Sequence, residues 1–449
     1  MKIALGRILL TLMVVLGCFG ATKVRRTITY DEAAKGTDSL EIHEGIVCQS
    51  AQKIKYRRGG KVCAEIELTE PVMVAMAEQK EEWGYFQFPG IGRAKDGTLI
   101  VSWTMKGDTY KMYGRKSPRE MTPMMSKDGG LSWIKRDRNY IMEREKSDPV
   151  LRNGGRLSIC TPTCKNIREY DGFPWPVGQY GDKTFYPMDS LPDELQGIYV
   201  NIYDNNNKKS NAIHARLNDP GLLRYAIDNL MPILWRGNIR QLADQSLVAG
   251  VYPCYYLDTP GGLAHSGVSF YRSTDEGRTW NVISRIPFKL DGIAVSRDGE
   301  SFEEPFFEIL ADSTFICVMR TGSKSPMYQT FSTDNGKTWT DPKPFTSNGV
   351  RPRLMKLNNG VLVLASGRPG VQIRFSLDGT GRKWTDPIEM NSFVDEKGKV
   401  HFWSTCGYAY ILEESENSFY IVYSDFTSKN SQGETRKSIW CRKVTVNVK

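Results

Sequence analysis

Short apolar runs alternate with polar turns along most of the chain. TLIVSW (98–103), TFICVM (314–319), GVLVLAS (360–366) and FYIVYS (419–424) each follow a step rich in Gly, Asn, Asp or Ser. Runs of this length, bounded by turn residues and rich in β-branched and aromatic side chains, predict strands rather than helices. One stretch departs from the rhythm. NDPGLLRYAIDNL (218–230) opens on Asp-Pro, a helix-start signal, and is expected to hold a short helix. The expected class is all-β with antiparallel strands.

The turns themselves repeat. Ser, any residue, Asp, a Gly-rich step and a closing Trp recur as SKDGGLSW (126–133), STDEGRTW (273–280), STDNGKTW (332–339) and SLDGTGRKW (376–384). The Asp and Ser oxygens can accept hydrogen bonds from the turn's own backbone, Gly supplies the positive φ, and Trp packs under the next strand. The last two intervals between the Ser residues are 59 and 44 residues, which suits four-stranded propeller blades. The first interval, 147 residues, leaves room for two blades and an insertion, placed at 160–215 where Pro, Gly, Tyr, Asp and Asn are common. The expectation is a six-bladed β-propeller of four-stranded antiparallel blades over residues 46–449, its ring closed by a strand from 46–80.

Composition adds compartment and partner class. The 449 residues are 40% hydrophobic and 25% charged, enough to bury a large core. Net charge is +9, but Lys and Arg are scattered with no basic helix or tail, which argues against nucleic acid and leaves an anionic substrate open. The start, MKIALGRILLTLMVVLGCFG, has a basic n-region and an apolar run too short to span a bilayer, and reads as a signal peptide over 1–17. VLGC places Cys18 where a lipid anchor would attach, and the polar stretch 18–45 reads as a linker. Export permits disulfides, and CTPTC (160–164) could form one or hold two thiols. With four His in the chain, a metal site there is not expected, and no cofactor motif occurs.

Three spacings then resemble the sialidase superfamily, whose propellers carry such Asp-containing turns. EPFFEILADSTFICVMR runs from Glu304 to Arg320, sixteen residues apart. GRPGVQIRFS sets Arg368 eight residues before Ser376. CGYAYILEESENSFYIVYS offers Tyr408 before a hairpin. The resemblance implies a Tyr408 nucleophile, Glu304 as its base, and Arg320 and Arg368 holding a substrate carboxylate. Glu303, its neighbour, is expected on the opposite face of the strand. The chain departs from the family pattern in FQFPGIGRAKDGTL, where Gln87 occupies the position of a first Arg, and Arg93 is too far along to replace it. For the acid/base, MKGDTYKMYGRKSPREMTPMM offers Asp108 and Glu120.

The residue types fit that chemistry. A carboxylate nucleophile would be repelled by an acidic sugar, whereas a neutral Tyr is not. A phenol is a weak nucleophile at its ordinary pKa and needs a neighbouring base. Guanidiniums bind carboxylates in forked, charge-assisted pairs. The expected function is therefore a retaining, sialidase-like exo-glycosidase acting on a terminal sugar of a glycan, acidic or otherwise. Two alternatives stand beside it: a glycan-binding propeller without turnover, and a propeller glycosidase or lyase of other chemistry. His265, before a strand, could face the pocket.

Overall fold

The structure is a computed structural model that describes residues 46–58, 60–106, 122–136, 145, 148–206, 208–209, 212–259, 262–263, 265–289, 301–394 and 401–449, with the backbone of Thr27–Tyr30 and Leu40–His43. The signal-like segment, Cys18, Asp108 and Glu120 lie outside the described residues. Strands make up nearly all regular structure. Three single turns of 3-10 helix, Ile167–Glu169, Met188–Ser190 and Asp193–Leu195, are the helical elements among the described residues.

The apolar runs are strands: Leu99–Met105, Phe315–Arg320, Leu362–Gly367 and Ser418–Lys429. Residues 218–230 are not a helix, contrary to the Asp-Pro signal. Leu223–Ala226 pairs with Thr184–Pro187, and Leu230–Met231 pairs with Lys165–Asn166. Leu222, Leu223 and Arg224 are all buried, as consecutive residues are in a strand covered on both faces. Asp228 and Asn229 sit at φ +50° and +65° and turn the chain back. Pairing with the preceding hairpin overrides local propensity here.

Antiparallel sheets follow one another along the chain. Tyr85–Arg93, Leu99–Met105, Met124–Ser126 and Ile134–Lys135 form the first, four-stranded sheet. A seven-stranded sheet follows, built from two antiparallel groups. Arg156–Cys160, Ile198–Tyr203 and Ile213–Asn218 form one group, and Arg236–Gln241, Leu247–Cys254, Gly267–Ser273 and Thr279–Ile286 the other. They are joined by parallel pairing of Arg216–Asn218 with Thr279–Asn281. Glu303–Ile309 opens a four-stranded sheet and Val350–Lys356 a five-stranded one. Ala409–Ser415, Ser418–Lys429 and Thr435–Val448 form the last sheet with the early strands Lys61–Leu68 and Gln52–Arg58, while Val72–Met76 pairs with Ser438–Cys441.

The opening strands of these groups lie side by side. Arg156–Cys160 neighbours Arg236–Gln241, which neighbours Glu303–Ile309; then come Val350–Lys356, Ala409–Ser415 and Tyr85–Arg93. The core fills the gaps between sheets. Phe270, Phe307 and Phe315, all 0% exposed, pack in one such gap with Trp339, and Phe375 meets Phe419 in another. Burying side chains of this size contributes about 1.5–3 kcal/mol each.

The four Trp-closed turns share one hydrogen-bond pattern. Ser126, Ser273, Ser332 and Ser376 donate to Asp128, Asp275, Asp334 and Asp378 at 2.7–2.8 Å. Each Ser oxygen in turn accepts a Gly N–H, from Gly130, Gly277, Gly336 and Gly381. Two of the Trp residues then tie sheets together: Trp339 donates to Ser284 and Trp384 to Gln329, each on the preceding sheet, at 3.0 Å, while Trp280 donates within its own turn to the Gly277 carbonyl. The eight described cysteines are free thiols, Cys160 and Cys164 among them.

Candidate functional site

Glu304 begins the site. It lies near the start of the strand Glu303–Ile309, where the register shifts between Glu303 and Phe306, and its φ is +46°. The shift breaks the simple alternation expected of the strand. Glu303 and Glu304 therefore do not diverge: both line one cavity, and both approach Arg320, at 3.9 and 3.3 Å. Arg320 ends the adjacent strand and pairs opposite Glu303.

Other non-glycine residues with left-handed backbone gather at the same end of neighbouring strands. They are Phe86 and Phe88 beside Gln87, Arg351, and Arg368. Each such residue costs on the order of 1–3 kcal/mol and persists only where the surroundings fix it. Their clustering marks a built site rather than random strain.

Tyr408 donates its phenolic hydrogen bond to Glu304 Oε1 across 104 residues of sequence. Two glycines allow this approach. Gly407, at φ +74°, lies so close to the Arg368 turn that a Cβ on it would come 2.6 Å from Arg368 Cγ. A Cβ on Gly367 would meet the Gly407 carbonyl oxygen at 2.0 Å. Phe88 stands edge-on to the Tyr408 ring, with centroids 4.7 Å apart.

The carboxylate of Glu304 is 5% exposed and heavily supported. Oε2 accepts the Arg351 backbone N–H at 2.9 Å and faces Arg320 Nη1 at 3.3 Å. Burial pushes this carboxyl up, but the Arg320 and Arg351 charges and the bonds from Tyr408 and the Arg351 N–H outweigh it, holding the group below its usual range. Burial, and then the Glu304 charge, hold Tyr408 well above the ordinary phenol value. The pair is thus a neutral phenol donating to an ionised carboxylate, the arrangement in which a base can take the proton as the phenol oxygen attacks.

Arg320 is fully engaged. Nε donates to the Gly322 carbonyl and Nη2 to Ser323 Oγ, both at 3.1 Å. Arg368 donates to the same Ser323 Oγ at 2.8 Å and lies 4.5 Å from the centre of the Trp403 ring. It is 7% exposed, so the aromatic ring and the turn cover it. Gln87 is 0% exposed, and among the described residues neither of its amide atoms has a hydrogen-bond partner. Arg93 is remote from this group: it pairs with Glu414.

The cavity that Glu303, Glu304, Arg320 and Tyr408 line has a volume of about 340 Å³. Arg236, Tyr252 and His265 also line it, with Tyr180 and Lys183 from the hairpin inside the expected insertion. Arg236, Arg351 and Tyr252 carry no spacing signal in the sequence. Arg236 sits in the apolar stretch PILWRGNI, where a lone charge is the only hint available.

No protein-family model matches the chain, and no curated protein matches it. Among solved structures it is similar in fold to a protein of unknown function from Dyadobacter fermentans, with 15% identity over 85% of this chain and 99% of that one, and a TM-score of 0.55. Similarity also extends to the Hadza microbial sialidase Hz136, at 15% identity, 86% of this chain, 68% of that chain and a TM-score of 0.44. A NanB sialidase from Streptococcus pneumoniae gives 12%, 84%, 71% and 0.43.

Proposed function

We propose that the protein is an exported glycoside hydrolase, a six-bladed propeller that releases a terminal sugar through a glycosyl–tyrosine intermediate. The observation that carries this reading is the Tyr408–Glu304 hydrogen bond at the wall of a cavity. The succession of opening strands around shared cores supports the propeller. Tyr408 attacks the anomeric carbon while Glu304 takes its proton. Arg320 holds Glu304 in place and faces the bound sugar, while Arg368 and Gln87 back the site from behind. Asp108 is assigned as the acid/base that protonates the leaving group and then activates water. Residues 1–17 act as signal peptide, and Cys18 as the lipid-anchored residue.

The test is a panel of chromogenic aryl glycosides assayed with the full chain and with Tyr408→Phe. Turnover by the wild type and its loss in the variant are expected. A slowly released fluoro-glycoside of the preferred sugar should add one sugar mass to the peptide containing Tyr408. Turnover that survives Tyr408→Phe overturns the proposal. A glycan-binding propeller without turnover is favoured by one observation, the replacement of an expected Arg by buried Gln87. Glycan binding without hydrolysis of any glycoside supports that second reading.

A further inference from the structure

The family resemblance puts anion recognition on Arg320, Arg368 and the position of Gln87. In this chain that side is largely closed. Gln87 is 0% and Arg368 7% exposed, and every nitrogen of Arg320 already has a partner. A ligand in the cavity meets a different guanidinium. Arg236 opens the strand Arg236–Gln241, stands opposite Tyr252 in the antiparallel register, and lines the cavity with Tyr408 and Glu304. Burial opposes its charged form, but the Tyr252, Tyr225 and Tyr408 phenols lie near enough to favour that form against the cost. Among the described residues no carboxylate makes an ion pair with it. A half-buried guanidinium on a cavity wall, with no ion pair of its own, is a place where an anionic ligand gains a charge-assisted partner.

A second cation stands on the same wall. Lys183 belongs to the hairpin Gly178–Tyr180 with Lys183–Pro187, and its ammonium lies 6.0 Å from the Tyr225 ring centre. Its one ion pair among the described residues is a 3.4 Å contact with the adjacent, exposed Asp182. That contact is weak and leaves the ammonium available. Glu303 and Glu304, the carboxylates of the cavity, both approach Arg320 instead.

We propose that Arg236, aided by Lys183, forms an oxyanion subsite that binds a carboxylate or sulfate ester on the sugar held against Tyr408. The subsite faces the sugar from the wall of the seven-stranded sheet and the inserted hairpin, not from Arg368. This rests on the glycosidase reading above and names the substrate class for it: an acidic sugar. The guanidinium suits the forked geometry of carboxylate or sulfate, and Lys183 adds a point charge.

The experiment compares matched aryl glycosides: neutral hexosides, hexuronides, 6-sulfated hexosides and a sialoside. The wild type is expected to prefer one acidic member over its neutral counterpart. Arg236→Gln should cut that preference by at least about tenfold, the worth of one charge-assisted hydrogen bond. Arg236→Lys should restore part of it, and Lys183→Gln should reduce it by a smaller factor. Whether the uronide, sialoside or sulfated sugar is preferred separates the carboxylate from the sulfate ester. Melting curves check folding, and if Arg236→Gln fails to fold, Lys183→Gln on the exposed hairpin keeps the test open. Preference for neutral sugars, or an acid-to-neutral ratio unchanged in folded variants, overturns the subsite and leaves the Tyr408 mechanism standing. If no glycoside is turned over, that mechanism falls, and the subsite is read from the melting shift induced by sodium glucuronate, N-acetylneuraminate or sulfate. A shift present in the wild type and lost in Arg236→Gln supports it; no shift with any of the three overturns it.

Discussion

Glu304 and Glu308 stand four residues apart on one strand, and each meets a guanidinium. At Glu308 the partnership is closed. Arg240 Nε donates to both carboxylate oxygens at 3.1 Å and Nη2 to one at 2.8 Å. Around it, Arg353 pairs with Glu145 at 3.0 Å, and Tyr410 donates to Glu145 as well. Glu308, Arg240, Arg353 and Glu145 line a larger cavity, about 710 Å³. At Glu304 the partnership is open: a phenol shares the carboxylate, and neither Arg236 nor Arg368 makes an ion pair among the described residues. Charge and volume are greater at Glu308, yet the unmatched cations and the strained backbone sit at Glu304. A site is located by what its charges lack, more than by how many there are.

The largest effect is expected of Tyr408→Phe, which should lower hydrolysis by a factor on the order of 10³ or more while leaving the melting temperature near that of the wild type. Glu304→Gln should cost about 10²–10⁴ in kcat, the span for loss of a general base. The acid limb of the wild-type rate profile should lie below the ordinary carboxylate range, because Glu304 titrates low. At the other end, Glu308→Ala strands Arg240 in a largely buried setting and should cost about 3–5 kcal/mol of stability in denaturant titration. Its kcat/KM should not move. A loss of activity without a loss of stability there would mean that the two ends had been assigned the wrong way round.

The smallest effect is in pH. Glu304 is held below its ordinary value, so its contribution to stability is present above about pH 4.3 and fades as pH falls through the folded value. Asp148, near Glu145, goes the other way: burial, then the Glu145 charge, raise it. Its ionised form is a penalty at neutral pH that disappears below about pH 3.9. Asp148→Asn should therefore melt higher than the wild type at pH 7 and converge with it on acidification. Glu304→Gln should melt lower at pH 7 and also converge.

The strands were legible in the apolar runs because those runs are bounded by turn residues, and the four Trp-closed turns kept the local bonds their residue types imply. Residues 218–230 misled because Asp-Pro is a local signal and the pairing of Leu223–Ala226 with Thr184–Pro187 is not. Glu304, Arg320, Arg368 and Tyr408 were found through spacing and resemblance, and the fold gathers Glu304, Arg320 and Tyr408 at one cavity. The covering of Arg368 by Trp403 was hidden, since the two are 35 residues apart and meet only in the folded chain. Likewise Glu303 and Glu304 face one cavity because of a bulge, which period-two reasoning cannot contain. Arg236 belongs to no motif, and its place on the cavity wall beside Tyr252 and Tyr408 appears only in the folded chain.

The last sheet has a consequence for how the molecule comes into being. Thr435–Val448 lies between Ser418–Lys429 and the early strand Lys61–Leu68, and buried Arg442 donates to the backbone carbonyls of Cys48, Ser50 and Thr69. Gln52–Arg58 and Lys61–Leu68 must wait for Thr435–Val448, hundreds of residues further on, before that sheet exists. Tyr408 directly precedes Ala409–Ser415 of the same sheet, so its contact with Glu304 waits on strands far apart in sequence coming together.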